Sequence, residues 1–580
     1  MSVKSDISKI IEPIGEIAKS DIILLNSLAL FVGIACGFIA IFFRILISFF
    51  RNLFMFGEFR LSIVAGSPLD SPLGAVLILI PAVGGLLVGI IVAAFAKEAK
   101  GHGVPEVMTA VINRGGRIRP RVTLIKALAS AMCIGSGGVV GREGPIVQIG
   151  AATGSSIGQF LKLGGRFTAI LVGCGAAGGI AATFNTPIAG VIFAIEIILT
   201  EFKTRSFIPL VISSVMATIV SRIFLGSSPA FKVPPYSFQH PIELAFYFIL
   251  GILAALVGIL MIKMLYGFEN FFEKIRIPEW IKPAIGGLLL GLLFFKFRYV
   301  MGVGYETMDK VFNQNFPLVL MIVLIFAKIL GVSLTLGSGG SGGVFAPALF
   351  VGCMLGGSFG YIIHSFFPEI TGTYGAYALV GMAALFAAVS RATLTAIIVI
   401  FEMTLNYHII LPLMFACVIA DALSHMISPE TIYTKKLLKK GIIASQDMSS
   451  DPLSSVYVKD VMTSRIITVS ENHTASDMQV LIYQTRHHGF PVIDSEGVIK
   501  GIVTEEDILR AKKSRKMKRP VRELISGKFI KAYPDETLDK VLSKMLSEKV
   551  THIPIVERKN QKNLVGLLTR TDILNLMQFH

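Results

Sequence analysis

The stretch GSGGVVGREGP, residues 135–145, decides how this chain is read, because it returns as GSGGSGGVFAP at 337–347. Both runs open Gly-Ser-Gly-Gly and carry glycine at the seventh place and proline at the eleventh. With residue 135 set against 337, the match continues through Gly150 and Gly352, Gly154 and Gly356, Ser156 and Ser358, and Gly158 and Gly360. Upstream, Lys126 meets Lys328 at the same offset; downstream, LVGCGAAGGIAA from 171 resembles LVGMAALFAA from 379, and Glu196 lines up with Glu402. The chain therefore contains two related halves. Gly-Ser-Gly-Gly is too flexible for a helix interior, so each copy marks a break. In a membrane, freed backbone is tolerated only where it is buried in protein or lines a cavity. Matching interrupted segments in two halves point to a binding site near the midplane. The glycines spaced four apart at 150/154 and 352/356 suit close helix packing instead.

Composition agrees with a membrane setting. The 580 residues are 53% hydrophobic and 16% charged, with a mean hydropathy of +0.70, which excludes an ordinary soluble enzyme. Long uncharged runs such as Gly74 to Ala96 and Phe167 to Ile195 crowd the first 440 residues, and charges return from about 450. A spanning helix needs about 20 apolar residues, so 21–440 reads as an all-α polytopic membrane domain. Residues 1–20 read as a cytoplasmic N-terminal segment without a signal-peptide pattern, and 441–456 as a polar linker. Two soluble α/β units follow, at 457–512 and 520–580. VKDVM at 458 matches VREL at 521, FPVI at 490 matches IPIV at 553, and GIVTEEDIL at 501 matches GLLTRTDIL at 566. Each reads as strand–helix–strand–strand–helix.

The formal charge of +16 is the Lys/Arg excess that membrane proteins carry on cytoplasmic loops, not a nucleic-acid footprint. KKLLKK at 435–440 directly follows the last apolar run and marks that end as cytoplasmic. The five cysteines lie far apart inside apolar segments without a CxxC pair, so neither disulfides nor zinc are expected.

A helix that starts after a glycine break offers free N–H groups and the positive end of its dipole. Starts at 141–147 and 343–349 converge on one desolvated anion; a cation pathway would need rings of carbonyls or carboxylates. Glu143 then has a use. Charged, it takes the anion's place as a tethered competitor; protonated, it swings away and carries a proton. The alternative is an ion pair with Arg142. No nucleophile, metal set or cofactor loop accompanies Glu143, which argues against an enzyme.

GHGVP at 101–105, GREGP at 141–145, GVFAP at 343–347 and IYTKKLL at 432–438 together resemble the CLC chloride channel and transporter family. The tail resembles the paired CBS domains that many members carry, so the likeness covers nearly the whole chain. It implies two inverted-repeat halves with broken helices, a homodimer with a separate pore in each subunit, and a bacterial inner or plasma membrane with the CBS domains in the cytoplasm. It makes Glu143 the gate and proton acceptor. It assigns the central anion to the amides of Val344 and Phe345 and the hydroxyl of Tyr433, and the outer site to groups around Gly141, Arg142, Gly144 and Ala346. Glu196 and Glu402 become structural carboxylates. The implied function is chloride transport through a gated pathway, as proton-coupled exchange or, alternatively, as a passive voltage- or pH-gated channel. A reading from another class is a CBS-based nucleotide sensor with the membrane part as anchor.

Two departures stand out. His102 occupies a position where the family usually has serine; its imidazole can donate to an anion or turn into a loop. Ile197 stands where many exchangers carry an internal proton-relaying glutamate, which leaves channel and exchanger both open. In the tail, Thr504 and Thr569 are placed to approach a phosphate, and Asp507 and Asp572 to accept ribose hydroxyls of a regulatory adenine nucleotide; ordinary helix capping explains the same residues. No cofactor is required.

Overall fold

The computed structural model describes residues 3–442 and 453–573 other than 64–65, 201–203, 230, 232, 235, 237–239, 454–455, 526–528, 549, 559 and 561, with side chains from residue 22 on except at 204 and 205. Most of the 441–456 linker lies outside the described residues. The chain forms two compact units, Met1–Ala444 and Ser445–His580.

The first unit is helical, and its elements recur in order. Val3–Phe56, Ile80–Phe95, Val104–Arg114, Arg121–Gly135, Glu143–Phe160, Gly165–Phe184, Pro187–Phe193 and Thr204–Leu225 form the first half. Their counterparts are Glu243–Lys274, Lys282–Lys296, Tyr305–Phe312, Leu318–Gly337, Phe345–Phe366, Tyr374–Ser390, Thr393–Thr404 and Ile410–Ile427. Thr434–Lys439 closes the unit. Among the described residues, eight helices are long and apolar enough to cross a membrane, while Pro187–Leu199, Tyr374–Ser390 and Thr393–Thr404 are apolar but shorter. The chain is an integral membrane protein of mixed full and broken helices.

Reciprocal contacts give the halves their two-fold relation. Gly141 N–H donates to Gly343 O at 2.8 Å and Gly343 N–H to Gly141 O at 2.7 Å, an antiparallel pair. Glu402, near the end of one short helix, accepts from the N–H groups of Ile188 and Ala189 at the start of the other. Glu196 returns the arrangement, accepting from the N–H groups of Leu394 and Thr395 and from the Thr395 hydroxyl. Each carboxylate satisfies free donors at a helix start that would otherwise be stranded away from water.

The four-residue glycine spacing has the packing use expected of it. A Cβ on Gly150 would fall 2.1 Å from Gly175 O, and one on Gly352 would fall 2.3 Å from Gly381 O. Lys126 and Lys328 are both fully buried and hold equivalent loops. Lys126 Nζ donates to Ala99 O and Gly101 O, and Lys328 Nζ to Val300 O, Gly302 O and Val303 O.

The second unit has two hydrophobic cores. One sheet, ordered Val469–Ser470, Gly489–Ile493 and Ile499–Thr504, pairs its first two strands parallel and the last two antiparallel. The other pairs His552–Val556 with Leu564–Thr569 antiparallel, its first strand reduced to a bridge between Ala532 and Ile555. The lead-in segments are exchanged. Val458 packs in the core of the second repeat and Val521 in that of the first, with bridges Tyr457–Thr537, Thr463–Leu567 and Thr474–Pro520.

Candidate anion site

The two glycine loops meet at the middle of the first unit. After each loop a helix begins, with Arg142 capping Glu143–Phe160 and Val344 capping Phe345–Phe366. Glycine is needed here for close approach. A Cβ on Gly141 would lie 1.7 Å from Glu143 Oε2, and one on Gly144 would lie 2.1 Å from His102 O. Gly103, the residue before Val104–Arg114, adopts φ of 86°, a left-handed conformation that glycine takes without strain. These three helix starts turn their positive ends toward one small cavity.

That cavity is lined by His102, Val104, Glu143, Gly144, Val344, Phe345 and Tyr433, with Ile180, Phe184, Phe193 and Val399 closing its apolar side. Its volume is about 10 Å³, the size at which a single water-sized body just fits. Glu143, 3% exposed, lies folded inward. Its Oε1 accepts from the Tyr305 hydroxyl at 3.3 Å, and its Oε2 has no side-chain or loop donor in hydrogen-bond geometry. His102 is 5% exposed, and both ring nitrogens are buried without a protein partner. Its ring centre stands 6.2 Å from that of Tyr433. Unpartnered buried donors are costly, which makes the imidazole a candidate donor to a ligand in this cavity.

Of the residues singled out from sequence, His102, Glu143, Gly144, Val344, Phe345 and Tyr433 share this cavity. Gly141 contributes through its backbone pair with Gly343, and Ala346 packs beside Gly141. Arg142 points elsewhere. No ion pair joins it to Glu143; its guanidinium sits over the rings of Phe184 and Tyr305 and reaches Thr183 O. Tyr305, which bonds Glu143, is a neighbour of the candidate site that the sequence reading missed. The signal was present, since Gly302-Val303-Gly304 repeats the Gly101-His102-Gly103 break before the matching helix, with Gly304 at φ of 91°.

The nucleotide candidates behave differently. Thr504 and Asp507 bond to each other as a capping box on Glu505–Lys513. Thr569 and Asp572 repeat those bonds.

Related halves, opposed helix starts and a monatomic-sized cavity holding a carboxylate mark a class: a membrane protein with a buried polar site between two repeats. The sequence comparisons give the family. The model described as "Voltage gated chloride channel" matches residues 84–425, and the CBS domain model matches 458–514 and 521–578. The chain belongs to the CLC family and carries two CBS domains. It is similar to a protein named "H(+)/Cl(-) exchange transporter ClcA" from Vibrio parahaemolyticus, with 32% identity over 74% of this chain and 92% of that one. A "Putative chloride channel protein ClcB-like" from Ralstonia nicotianae is 33% identical over 62% of this chain and 85% of its own length. Among solved structures, a slow cyanobacterial Cl-/H+ antiporter superposes with a TM-score of 0.64 at 27% identity, covering 72% of this chain and 97% of the other. A eukaryotic CLC transporter shares the fold over 94% of this chain and 97% of its own, with a TM-score of 0.62 at 21% identity.

Proposed function

We propose that this protein moves chloride across a membrane through the His102–Glu143–Tyr433 cavity, in exchange for protons, with Glu143 as both gate and proton carrier. One observation carries this reading: a buried carboxylate occupies the space where helix starts from both halves converge. The relatives named as proton/chloride exchangers support the coupling. Ile197, buried and apolar, supplies no inward proton relay beside Glu196, so protons reach Glu143 from the inside by another path. The test is the reversal potential of reconstituted protein under opposed chloride and proton gradients. A shift with the proton gradient supports exchange, and a reversal set by chloride alone makes the protein a channel.

Sidedness follows from the basic loops. Arg114, Arg117, Arg119 and Arg121 lie at and between the ends of Val104–Arg114 and Arg121–Gly135, Lys162 and Arg166 flank the start of Gly165–Phe184, and Ser155 and Gln159 bond Ile118 to hold the two turns together. By the positive-inside rule this face is cytoplasmic. The protein acts as a homodimer with one pathway in each subunit, as its family membership suggests.

Tyr305 holds the gate closed. Hydrogen bonds to charged groups contribute roughly 1.5–3 kcal/mol, less at the long distance here. Tyr305→Phe should therefore raise chloride turnover about 2–10-fold in liposome flux assays. The same change on a Glu143→Gln background should have no effect.

The CBS pair regulates transport by binding an adenine nucleotide. Asp507 Oδ2 is occupied by Thr504, which leaves Oδ1, 3.8 Å from Arg510, for a ribose hydroxyl. Calorimetric titration of the full chain with ATP, ADP and AMP should show binding that Asp507→Asn with Asp572→Asn removes. Absence of heat at millimolar nucleotide would leave the four residues as helix caps only.

A further inference from the structure

A second, larger cavity of about 410 Å³ shares Phe184 with the first and is bounded by Arg142 and by Tyr305, the partner of Glu143. It opens at the end of Gly165–Phe184 opposite the basic loops, and is lined by Arg44, Arg51, Arg142, Asn185, Tyr305 and Glu306 among others. Arg44 and Arg51 stand seven residues apart, on one face of the Val3–Phe56 helix. Among the described residues, the lining sets against three guanidinium groups one carboxylate, Glu306, which is itself bonded to the Ser67 hydroxyl. Arg142 Nε is buried without a partner. Such a chamber holds an excess of two positive charges.

We propose that this chamber is a binding site for a doubly charged tetrahedral oxyanion, of the sulfate or hydrogen phosphate class, which blocks entry to the chloride pathway. The planar fork of arginine matches oxyanions through paired hydrogen bonds, a geometry that a spherical halide cannot use. The excess of two positive charges matches a dianion. The contrast of volumes decides the outcome of binding. The outer chamber admits a tetrahedral ion with room to spare, while the cavity that Glu143 lines has space for one water-sized body. An oxyanion therefore stops at the arginines and is a blocker, not cargo. An anionic lipid headgroup carries the same tetrahedral phosphate as a singly charged diester and would compete for the same arginines. This inference rests on the chloride-transport reading only for its effect on flux, not for binding.

The test uses purified full-length protein in neutral detergent, titrated calorimetrically with sodium sulfate at constant ionic strength, beside chloride flux from liposomes with sulfate added to each face. Sulfate should bind, and should slow chloride flux from the face opposite the basic loops. Arg44→Gln with Arg51→Gln should weaken sulfate binding roughly 100-fold while chloride flux without sulfate persists. Repeating the titration with phosphatidylglycerol present separates the sources: lost sulfate heat identifies the headgroup as the occupant, and unchanged heat identifies the free ion. Absence of sulfate binding, or binding that the double substitution leaves unchanged, overturns the proposal. Absence of chloride flux with sulfate binding intact instead overturns the transport reading.

Discussion

Glu143→Gln should leave chloride flux intact or faster, abolish its dependence on external pH, and reduce proton movement driven by a chloride gradient to the level of protein-free liposomes. Glutamine keeps the shape of glutamic acid and cannot ionise, so the side chain is held in the state that yields to the anion. The size of the effect follows from the crowding. The carboxylate lines the same cavity as Val344 and Phe345, at the start of the second half's helix. Two unit charges about 4 Å apart at an effective dielectric of about 20 repel by about 4 kcal/mol. An anion and a charged Glu143 therefore exclude one another, and removal of the charge takes away both that repulsion and the charge-assisted bond by which Tyr305 holds the side chain in place. Paired chloride-electrode and pH-electrode recordings of the same liposomes check both halves of the expectation. Proton pumping that survives in the variant would show that the coupled proton travels through a different group.

The repeat carried most of what was legible beforehand. Glycines at loop positions leave a trace in sequence because no other residue fits. Gly141 and Gly144 have a carboxylate and a carbonyl where a Cβ would sit, so the loops, their pairing and the helix starts after them could all be read from 135–145 and 337–347. The buried polar groups were legible for a related reason: Glu143 and His102 are anomalies in an apolar run. Ile180, Phe184, Phe193 and Val399 line the cavity just as closely, yet nothing distinguishes them from core residues, because an apolar wall and an apolar core use the same side chains. Tyr305 escaped notice because aromatic residues are common in membrane helices and its partner Glu143 is 162 positions away. The exchange of Val458 and Val521 between the CBS cores was also hidden. A repeated motif shows where a unit recurs in sequence, whereas packing of the lead-in segment depends on which neighbouring sheet has an open edge.

His102 is the residue at which substitution should most change anion binding. Its loop is fixed from below by Lys126, which donates to the carbonyls of Ala99 and Gly101 on either side of Lys100, and the ring is enclosed with neither nitrogen bonded to protein. The charged groups around it are Glu143 across the cavity, Lys126 beneath, and Lys436 and Lys440, which pair with Glu269 and Glu106 respectively. Imidazole carries an N–H in either neutral tautomer as well as when protonated, so a donor is available to the anion in every state. A hydrogen bond to a charged group contributes roughly 1.5–3 kcal/mol, and about 1.4 kcal/mol is a factor of ten. His102→Ala should therefore weaken chloride binding about 10–100-fold. Alanine also leaves a void, and His102→Ser controls for it: serine creates nearly the same void but restores a donor, so it should recover part of the lost affinity. Both variants are best compared on a Glu143→Gln background, where the carboxylate no longer competes with the ion, by calorimetric chloride titration. Equal affinities for histidine, alanine and serine at this position would place the ring outside the anion's reach and reduce His102 to a filler of the loop.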